Sequence, residues 1–164
     1  MKFVAEFIFD SGYSFEKTLD TETNITEHYS FGEEANTSAE DRIKLKVYTQ
    51  TLVHARMREE FRMAYYQKTK KYLTCTSCFR TVAFNKACGG IANSLHLWGT
   101  ASDLSIPGLN TALWNWCVST WKAICKKYGT VGEIGRYNGY IHVGSHIECT
   151  PNPYTNTFYI FDKR

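Results

Sequence analysis

The chain has 164 residues, 43% hydrophobic and 15% aromatic, which is enough to bury the core of a single domain and excludes an intrinsically disordered protein. The formal net charge of +3 is too small to indicate a nucleic-acid-binding protein. No apolar run approaches the roughly 18 residues needed to span a membrane.

The first half of the chain predicts one strand followed by one long helix. The start, MKFVAEFIFD, is too short and too polar for a secretory signal peptide, so we expect synthesis and folding in the cytoplasm. Within it, residues 3–9 favour a strand, whereas residues 10–37 are polar and predict irregular structure. Ser38 and Asp41 resemble a capping box and predict a helix that runs to about Lys70.

Charge is unevenly distributed and suggests a division of the chain. Residues 1–39 contain eight acidic and two basic residues, whereas residues 40–71 contain nine basic and four acidic ones. We therefore predict an acidic N-terminal segment, residues 1–45, packed on a main domain formed by residues 46–164. The basic stretch is interpreted as a solvated helix face.

The part of the chain after residue 72 predicts alternating short elements. A strand is expected around residues 73–79 and a short helix over residues 81–87. After Pro107-Gly108, apolar residues at helical spacing predict an amphipathic helix over residues 109–128. Gly129 suits the position just past its C-terminus.

The cysteines predict buried thiols rather than a disulfide framework. All six lie at or after residue 75, at positions 75, 78, 88, 117, 125 and 149. A chain of this length does not need disulfides, so we expect most of them to be reduced and buried. Cys75 and Cys78 have no matching second pair and fall in a predicted strand, where residues three apart face opposite sides. This favours packing over metal binding.

A β-hairpin is the clearest local element. Residues 132–144, GEIGRYNGYIHVG, contain an Asn-Gly pair that predicts a two-residue type I′ turn. This turn fixes the register, which places Gly135 opposite His142 and Glu133 opposite Gly144. Because side chains alternate along a strand, Glu133 and His142 share one face beside two glycines, an arrangement that predicts an open site.

A histidine-aspartate motif lies upstream of the hairpin. Residues 93–104 read NSLHLWGTASDL and contain the pattern Ser94-x-His96-x-x-Gly99-x-Ala101-x-Asp103. This pattern resembles the zinc-binding signature of the D-alanyl-D-alanine carboxypeptidase metallopeptidases, which include VanX-type dipeptidases and L-alanyl-D-glutamate endopeptidases of phage endolysins. The preceding TSCFRTVAFNKACGG and the later GRYNGYIHV resemble two further segments of that family, in the right order.

The resemblance implies a fold, a metal and its ligands. The fold is α+β, a small antiparallel sheet that carries the zinc site and is backed by helices, as in D-Ala-D-Ala carboxypeptidases and hedgehog-like proteins. The implied Zn²⁺ ligands are His96, Asp103 and His142. Three protein ligands that leave a fourth position for water are typical of hydrolytic zinc sites.

The sequence departs from the family pattern at the catalytic carboxylate. Relatives place an acid three residues before the last histidine or two residues after it, where this chain has Gly139 and Gly144. Our hypothesis is that Glu133, across the strand pair, is the general base that takes a proton from the attacking water. The alternatives are that Glu133 only orients His142 or is a solvated strand residue. His146 is a second candidate base, with the alternative that it is a surface residue.

Further site residues follow from the resemblance. Arg80 occupies the position of the family arginine and is expected to assist catalysis by binding a substrate carboxylate or carbonyl oxygen. For Arg80, a surface ion pair is the alternative to this role. Ser94 matches a substrate-contact position, although a capping role is an alternative. The four tryptophans are expected to pack in the core rather than to bind a ligand, and Trp98, which lies inside the motif, is the alternative candidate for ligand binding.

These inferences predict a zinc metallopeptidase that cleaves peptidoglycan stem peptides. We expect it to be made in a bacterial host cytoplasm and to act on the cell wall, as a phage lysis enzyme would, with no nucleic-acid partner. The sequence does not determine the oligomeric state, for which a monomer is the default. One alternative is a non-catalytic zinc-binding module of the same fold that recognises wall peptides or a partner. A structural virion protein is a further alternative.

Overall fold

The computed structural model describes residues 1–35, 45–147 and 157–164 and confirms the predicted α+β class. Two sheets and four helices make up the described part of the chain. In chain order the elements are β1 Lys2–Ile8, β2 Ser14–Asp20, α1 Phe31–Glu34, β3 Leu45–Tyr48, α2 Thr49–Thr69, β4 Thr74–Ser77, α3 Val82–Ala87, a 3-10 turn Leu95–Trp98, β5 Ala101–Ser105, α4 Thr111–Lys127, β6 Val131–Arg136, β7 Tyr140–His146 and β8 Tyr159–Asp162.

The N-terminal sheet has the strand order β2-β1-β3 and corrects two predictions. Residues 14–20 form an edge strand, antiparallel to β1, instead of irregular structure. Only Leu19 of this strand is buried, so no apolar alternation marked it. Residues 45–48 are also a strand, because Leu45 and Val47 alternate into the core. Helix α2 therefore begins at Thr49, and the predicted capping box lies outside the described residues.

The N-terminal sheet contains residues from both sides of the predicted boundary at residue 45. Strand β3 pairs in parallel with β1, with Ala5 opposite Leu45 and Ile8 opposite Tyr48. The division of the chain into 1–45 and 46–164 stays a prediction.

The second sheet has the order β4-β5-β7-β6-β8 and positions the candidate site. One face packs on α2 and α4 in a core that includes Phe61, Trp121, Leu104, Ile134 and Ile141. Because side chains alternate along strands, the intervening residues face away from this core. Strand β8 pairs in parallel with β6, so the sheet is mostly rather than wholly antiparallel.

The hairpin register is confirmed, and its turn type is corrected. Gly135 lies opposite His142, and Glu133 lies opposite Gly144. A type I′ turn needs two residues with positive φ. Gly139 has φ +81°, but Lys70 is the one non-glycine residue with positive φ in the described part of the chain. The turn therefore has the φ signs of type II, and the Gly139 carbonyl accepts a hydrogen bond from the Ile106 N–H (2.9 Å).

Helices α3 and α4 agree with their predictions to within two residues, whereas α1 (Phe31–Glu34) lies in the stretch predicted to be irregular. Asn110 caps α4 by accepting a hydrogen bond from the Leu113 N–H, and Gly129 follows the helix with φ +66°. Thr81 caps α3 in the same way through the Phe84 N–H. Among the described residues, no helix combines the length and apolar character needed to cross a membrane.

Candidate functional site

Three neighbouring elements bring His96, Asp103 and His142 together. His96 lies on the 3-10 turn, Asp103 on β5 and His142 on β7, where Asp103 and His142 are register partners. Gly99 ends the turn with φ +61°, and its missing side chain leaves space for Thr51, whose methyl would lie 2.7 Å from a Cβ there. This close reversal brings the turn back over the strand that carries Asp103.

The three side chains present one donor atom each at mutual contact distance. His96 Nε2 lies 3.3 Å from His142 Nδ1 and 3.4 Å from Asp103 Oδ1, and the remaining pair is 3.0 Å apart. A tetrahedral zinc ion with bonds of about 2.0–2.1 Å separates its ligand atoms by about 3.3 Å. The donor set therefore fits a zinc ion in both chemistry and spacing.

The backbone selects the tautomer of His96 that a metal requires. Its Nδ1 donates to the Cys78 carbonyl (2.5 Å), since a carbonyl can only accept. The neutral ring then presents an unprotonated Nε2 to the cluster. Burial is the main cause that lowers the pKa of His96 and favours this neutral form.

Asp103 is held as a carboxylate by its neighbours. Burial acts to raise the pKa of Asp103, but His96 and His142 outweigh burial and hold that pKa far below its ordinary value. Its Oδ2 accepts from the Arg80 guanidinium (2.5 Å), while Arg80 Nε donates to Ser77 Oγ (2.8 Å). Arg80 thus fixes the carboxylate so that Oδ1 faces the two histidines.

Glu133 contacts the other ring nitrogen of His142. Its Oε1 lies 2.9 Å from His142 Nε2, and its Oε2 lies 3.4 Å from His146 Nε2. Burial acts to raise the pKa of Glu133, but the hydrogen bonds with His142 and His146 lower it to about 2. For His142, burial acts to lower the pKa, but the bonds to Asp103 and Glu133 raise it to about 9 in the absence of a metal.

The site lies at the floor of a cleft of about 580 Å³. The cleft brings together all the predicted site residues, namely Arg80, Ser94, His96, Asp103, Glu133 and His142, and the second candidate base, His146. Ser94 also accepts a hydrogen bond from the His96 N–H (3.4 Å), which caps the 3-10 turn. Trp98 is not among the lining residues and packs against Tyr48, with the two rings tilted by 48° (5.1 Å between ring centroids).

Arg58, with its partners Glu34 and Ser102, lies beside the site and was not predicted from the sequence. Arg58 is fully buried behind the site and pairs with Glu34 of α1 (3.0 Å between Nη2 and Oε2). Its Nη1 donates to Ser102 Oγ (3.1 Å), next to Asp103. The sequence of a basic helix predicts that its arginines are exposed to solvent. Which arginine is buried becomes apparent only from the fold.

The prediction that Cys75 and Cys78 face opposite sides is wrong. A register shift between Cys75 and Ser77 interrupts the alternation, and Arg58 Nη1 approaches both sulfurs, at 3.8 and 2.6 Å. Among the five cysteines in the described ranges none is disulfide-bonded; four are buried and Cys88 is exposed. Cys149 lies outside the described residues.

The chain matches a known protein family. A family model described as Peptidase M15 matches residues 36–144, which is well over half of the chain and includes the three clustered donors. The search of curated proteins gave no significant match.

Proposed function

The chain belongs to the peptidase M15 family, and we propose that it is a zinc peptidase that cleaves stem peptides of bacterial peptidoglycan. One observation carries the proposal: His96, Asp103 and His142 converge within 3.4 Å of one another at the floor of an open cleft. Three protein ligands facing a cleft are the arrangement of hydrolytic rather than structural zinc sites.

In this proposal His96 binds the metal through Nε2, Asp103 through Oδ1 and His142 through Nδ1. A bound zinc ion supplies a Lewis acid that polarises a substrate carbonyl and lowers the pKa of water toward about 7. The chain contributes the orientation of each ligand: the Cys78 carbonyl holds His96, and Arg80 holds Asp103. Such supporting contacts typically change metal affinity or activity by about 10–100-fold when removed.

Arg80 lines the cleft as well as binding Asp103. We propose that its guanidinium also faces the substrate, where it stabilises negative charge that develops on the carbonyl oxygen. Ser94 lines the same cleft beside His96 and is proposed to contact the peptide backbone.

Glu133 has two proposed roles: a general base for the attacking water, or a residue that orients the ring of His142. It is the one carboxylate other than Asp103 that lines the cleft in the described ranges, which supports its role as general base. Its contact with His142 Nε2 supports a positioning role, because that contact orients the ring toward the metal. Acting as a base requires the carboxylate to turn from the two histidines toward the attacking water.

The test is product analysis after incubating the purified full chain with peptidoglycan, with added zinc or with a chelator. We expect released peptides only with zinc, and their masses identify the bond that is cut. His96→Ala is expected to abolish both zinc binding and release. His28→Ala, on a histidine outside the cleft, is the matched control and should retain both.

The second candidate is a zinc-binding module without catalysis. It is favoured by Gly139 and Gly144, the glycines at the two positions where relatives carry the catalytic acid. One zinc ion per chain, together with peptide binding and no release, would support it over the peptidase. If the peptidase is correct, a role in phage lysis is a further proposal, tested by lysis of bacteria on expression with a membrane-disrupting partner. Absence of zinc binding would contradict both candidates and would favour the remaining alternative, a structural virion protein.

A further inference from the structure

Strand β8 builds one wall of the cleft. Asp103, His142, Gly135 and Phe161 are successive register partners on β5, β7, β6 and β8, so they form one row across the sheet. Because the cleft lies on the same face of that sheet, the side chains of β8 that face it extend the site beyond the metal ligands.

The packing of Phe161 over Gly135 positions strand β8 against the sheet. A Cβ at Gly135 would lie 2.1 Å from Phe161 Cε2, so a side chain there would displace the ring. The ring centroid of Phe161 lies 5.8 Å from that of His142 and 6.1 Å from that of Tyr137. The glycine therefore admits an aromatic ring that holds β8 against the site.

The same placement brings Lys163 to the cleft. Its backbone N–H donates to the Arg136 carbonyl (2.8 Å), which continues the pairing of β8 with β6, and Lys163 is among the lining residues. Lys163 lies two positions after Phe161 in the sequence, so both side chains face the same side. The stacked rings of Tyr137 and Tyr140 lie in the adjacent hairpin (4.5 Å between centroids) and also line the cleft.

The charges around Lys163 leave it available for a ligand. Asp162, its neighbour in sequence, is on the alternate side of the strand and pairs with Arg164 (2.7 Å). Arg80 is engaged by Asp103, and Glu133 is engaged by two histidines. Within the part of the chain that the structure describes, Lys163 has no carboxylate within ion-pair distance and is the one lysine that lines the cleft.

We propose that Lys163 binds a carboxylate of the peptide substrate and so makes the enzyme specific for an acidic stem peptide. This inference rests on the proposed peptidase function. With strands about 4.8 Å apart and about 3.4 Å per residue, Lys163 lies about 12 Å from His142 between Cα atoms. An extended peptide spans that distance in about three residues, so the carboxylate lies within about three residues of the cleaved bond.

The test uses the zinc-loaded full chain and pairs of stem pentapeptides that differ in one group. The peptides of the first pair differ in whether the glutamate α-carboxylate is free or amidated. The peptides of the second pair differ in whether the C-terminal carboxylate is free or amidated. We expect the free acid of one pair to be cleaved with a KM about five- to tenfold lower than its amide, as a partly exposed charge pair predicts. Lys163→Ala should remove that preference without changing kcat, and Lys163→Arg should retain it.

Lys122→Ala, on the exposed side of α4, is the matched control and should behave as the wild type. Zinc content and unfolding temperature are measured for every variant, so that a folding defect is recognised. Equal KM values for acid and amide in both pairs, unchanged in Lys163→Ala, would overturn the inference alone. If no peptide is cleaved, the proposed function fails, and binding of the same peptides is measured by calorimetry. Tighter binding of the acid that depends on Lys163 would still support the carboxylate subsite. Equal binding of acid and amide would overturn the subsite as well.

Discussion

Glu133 Oε1 lies 2.9 Å from Nε2 of His142, on the opposite side of the imidazole ring from Nδ1, which faces Asp103 at 3.0 Å. The carboxylate is therefore separated from the metal-facing nitrogen by the width of the ring. A carboxylate that accepts from the outer nitrogen of a metal-binding histidine fixes its tautomer and orientation. This geometry distinguishes the two roles proposed for Glu133.

Glu133→Gln separates those roles. A glutamine oxygen still accepts a hydrogen bond from His142 but cannot take up a proton. If Glu133 only orients His142, we expect the variant to bind zinc within about tenfold of the wild type and to retain most of its turnover. If Glu133 is the base, turnover falls about 10²–10⁴-fold with zinc affinity unchanged. Both quantities are measured on the same preparation, by zinc titration and by the peptide assay.

Glu133→Ala is the control, since it removes both functions. It should weaken zinc binding about 10–100-fold if the contact with His142 matters. Unchanged zinc affinity and unchanged turnover in Glu133→Ala would contradict both roles.

Gly144 cannot accept a carboxylate while Glu133 occupies its present position. A Cβ at Gly144 would lie 2.7 Å from Glu133 Cγ and 2.7 Å from Leu95 Cδ1. We therefore expect Gly144→Asp to be destabilised by about 1–3 kcal/mol, as other overpacked sites are, and to lose activity. The double variant Glu133→Gly/Gly144→Asp should recover stability relative to Gly144→Asp, as measured by urea unfolding. Additive losses in the double variant would show that the two positions do not compete for one space.

Arg80 is expected to require a guanidinium. It bridges Asp103 Oδ2 and Ser77 Oγ through two different nitrogens, which one lysine ammonium cannot reproduce in the same plane. Arg80→Lys should lower kcat/KM by about 10–100-fold although the charge is kept. Lys86→Arg, on α3 and outside the lining of the cleft, is the control. Wild-type kcat/KM in Arg80→Lys would contradict the requirement for a guanidinium at this position.

Arg58 links the N-terminal segment to the core behind the site. Its fully buried side chain pairs with Glu34 and lies over the Tyr29 ring (4.1 Å from Cζ to the centroid). Arg58→Met leaves the Glu34 carboxylate buried without its partner, which costs about 3–5 kcal/mol of unfolding free energy. Arg58→Met/Glu34→Gln should recover part of that loss. A loss below about 1 kcal/mol in the single variant would contradict the buried pair.

The features predicted correctly from sequence depend on local geometry. A two-residue turn and a period of two determine the hairpin register, so Glu133, Gly135, His142 and Gly144 could be paired without a structure. The features that were missed depend on distant partners or on edge positions. Arg58 is buried because Glu34 reaches it from 24 positions earlier in the chain.

Edge strands were the other source of error. Most of β2 is exposed and carries Glu16, Lys17 and Thr18, so its burial gives no alternating pattern. Strand β8 is likewise largely exposed, and its pairing with β6 depends on the space above Gly135. Such strands form because a neighbouring strand offers unpaired backbone groups, and a single sequence does not show that neighbour.

His54 predicts how the stability of the metal-free protein depends on pH. Its Nδ1 and Nε2 lie 2.8 and 3.0 Å from the hydroxyls of Ser145 and Ser102, and burial holds the pKa of His54 well below its ordinary value of 6.5. The folded ring stays neutral while the unfolded ring gains a proton below about pH 6.5, so stability is lost as the pH falls through that value. Between pH 7.5 and 5.0 the contribution reaches about 2 kcal/mol. Urea unfolding with chelator should show a correspondingly smaller loss for His54→Gln than for the wild type. Equal losses in wild type and His54→Gln would mean that the buried ring is protonated in the folded state.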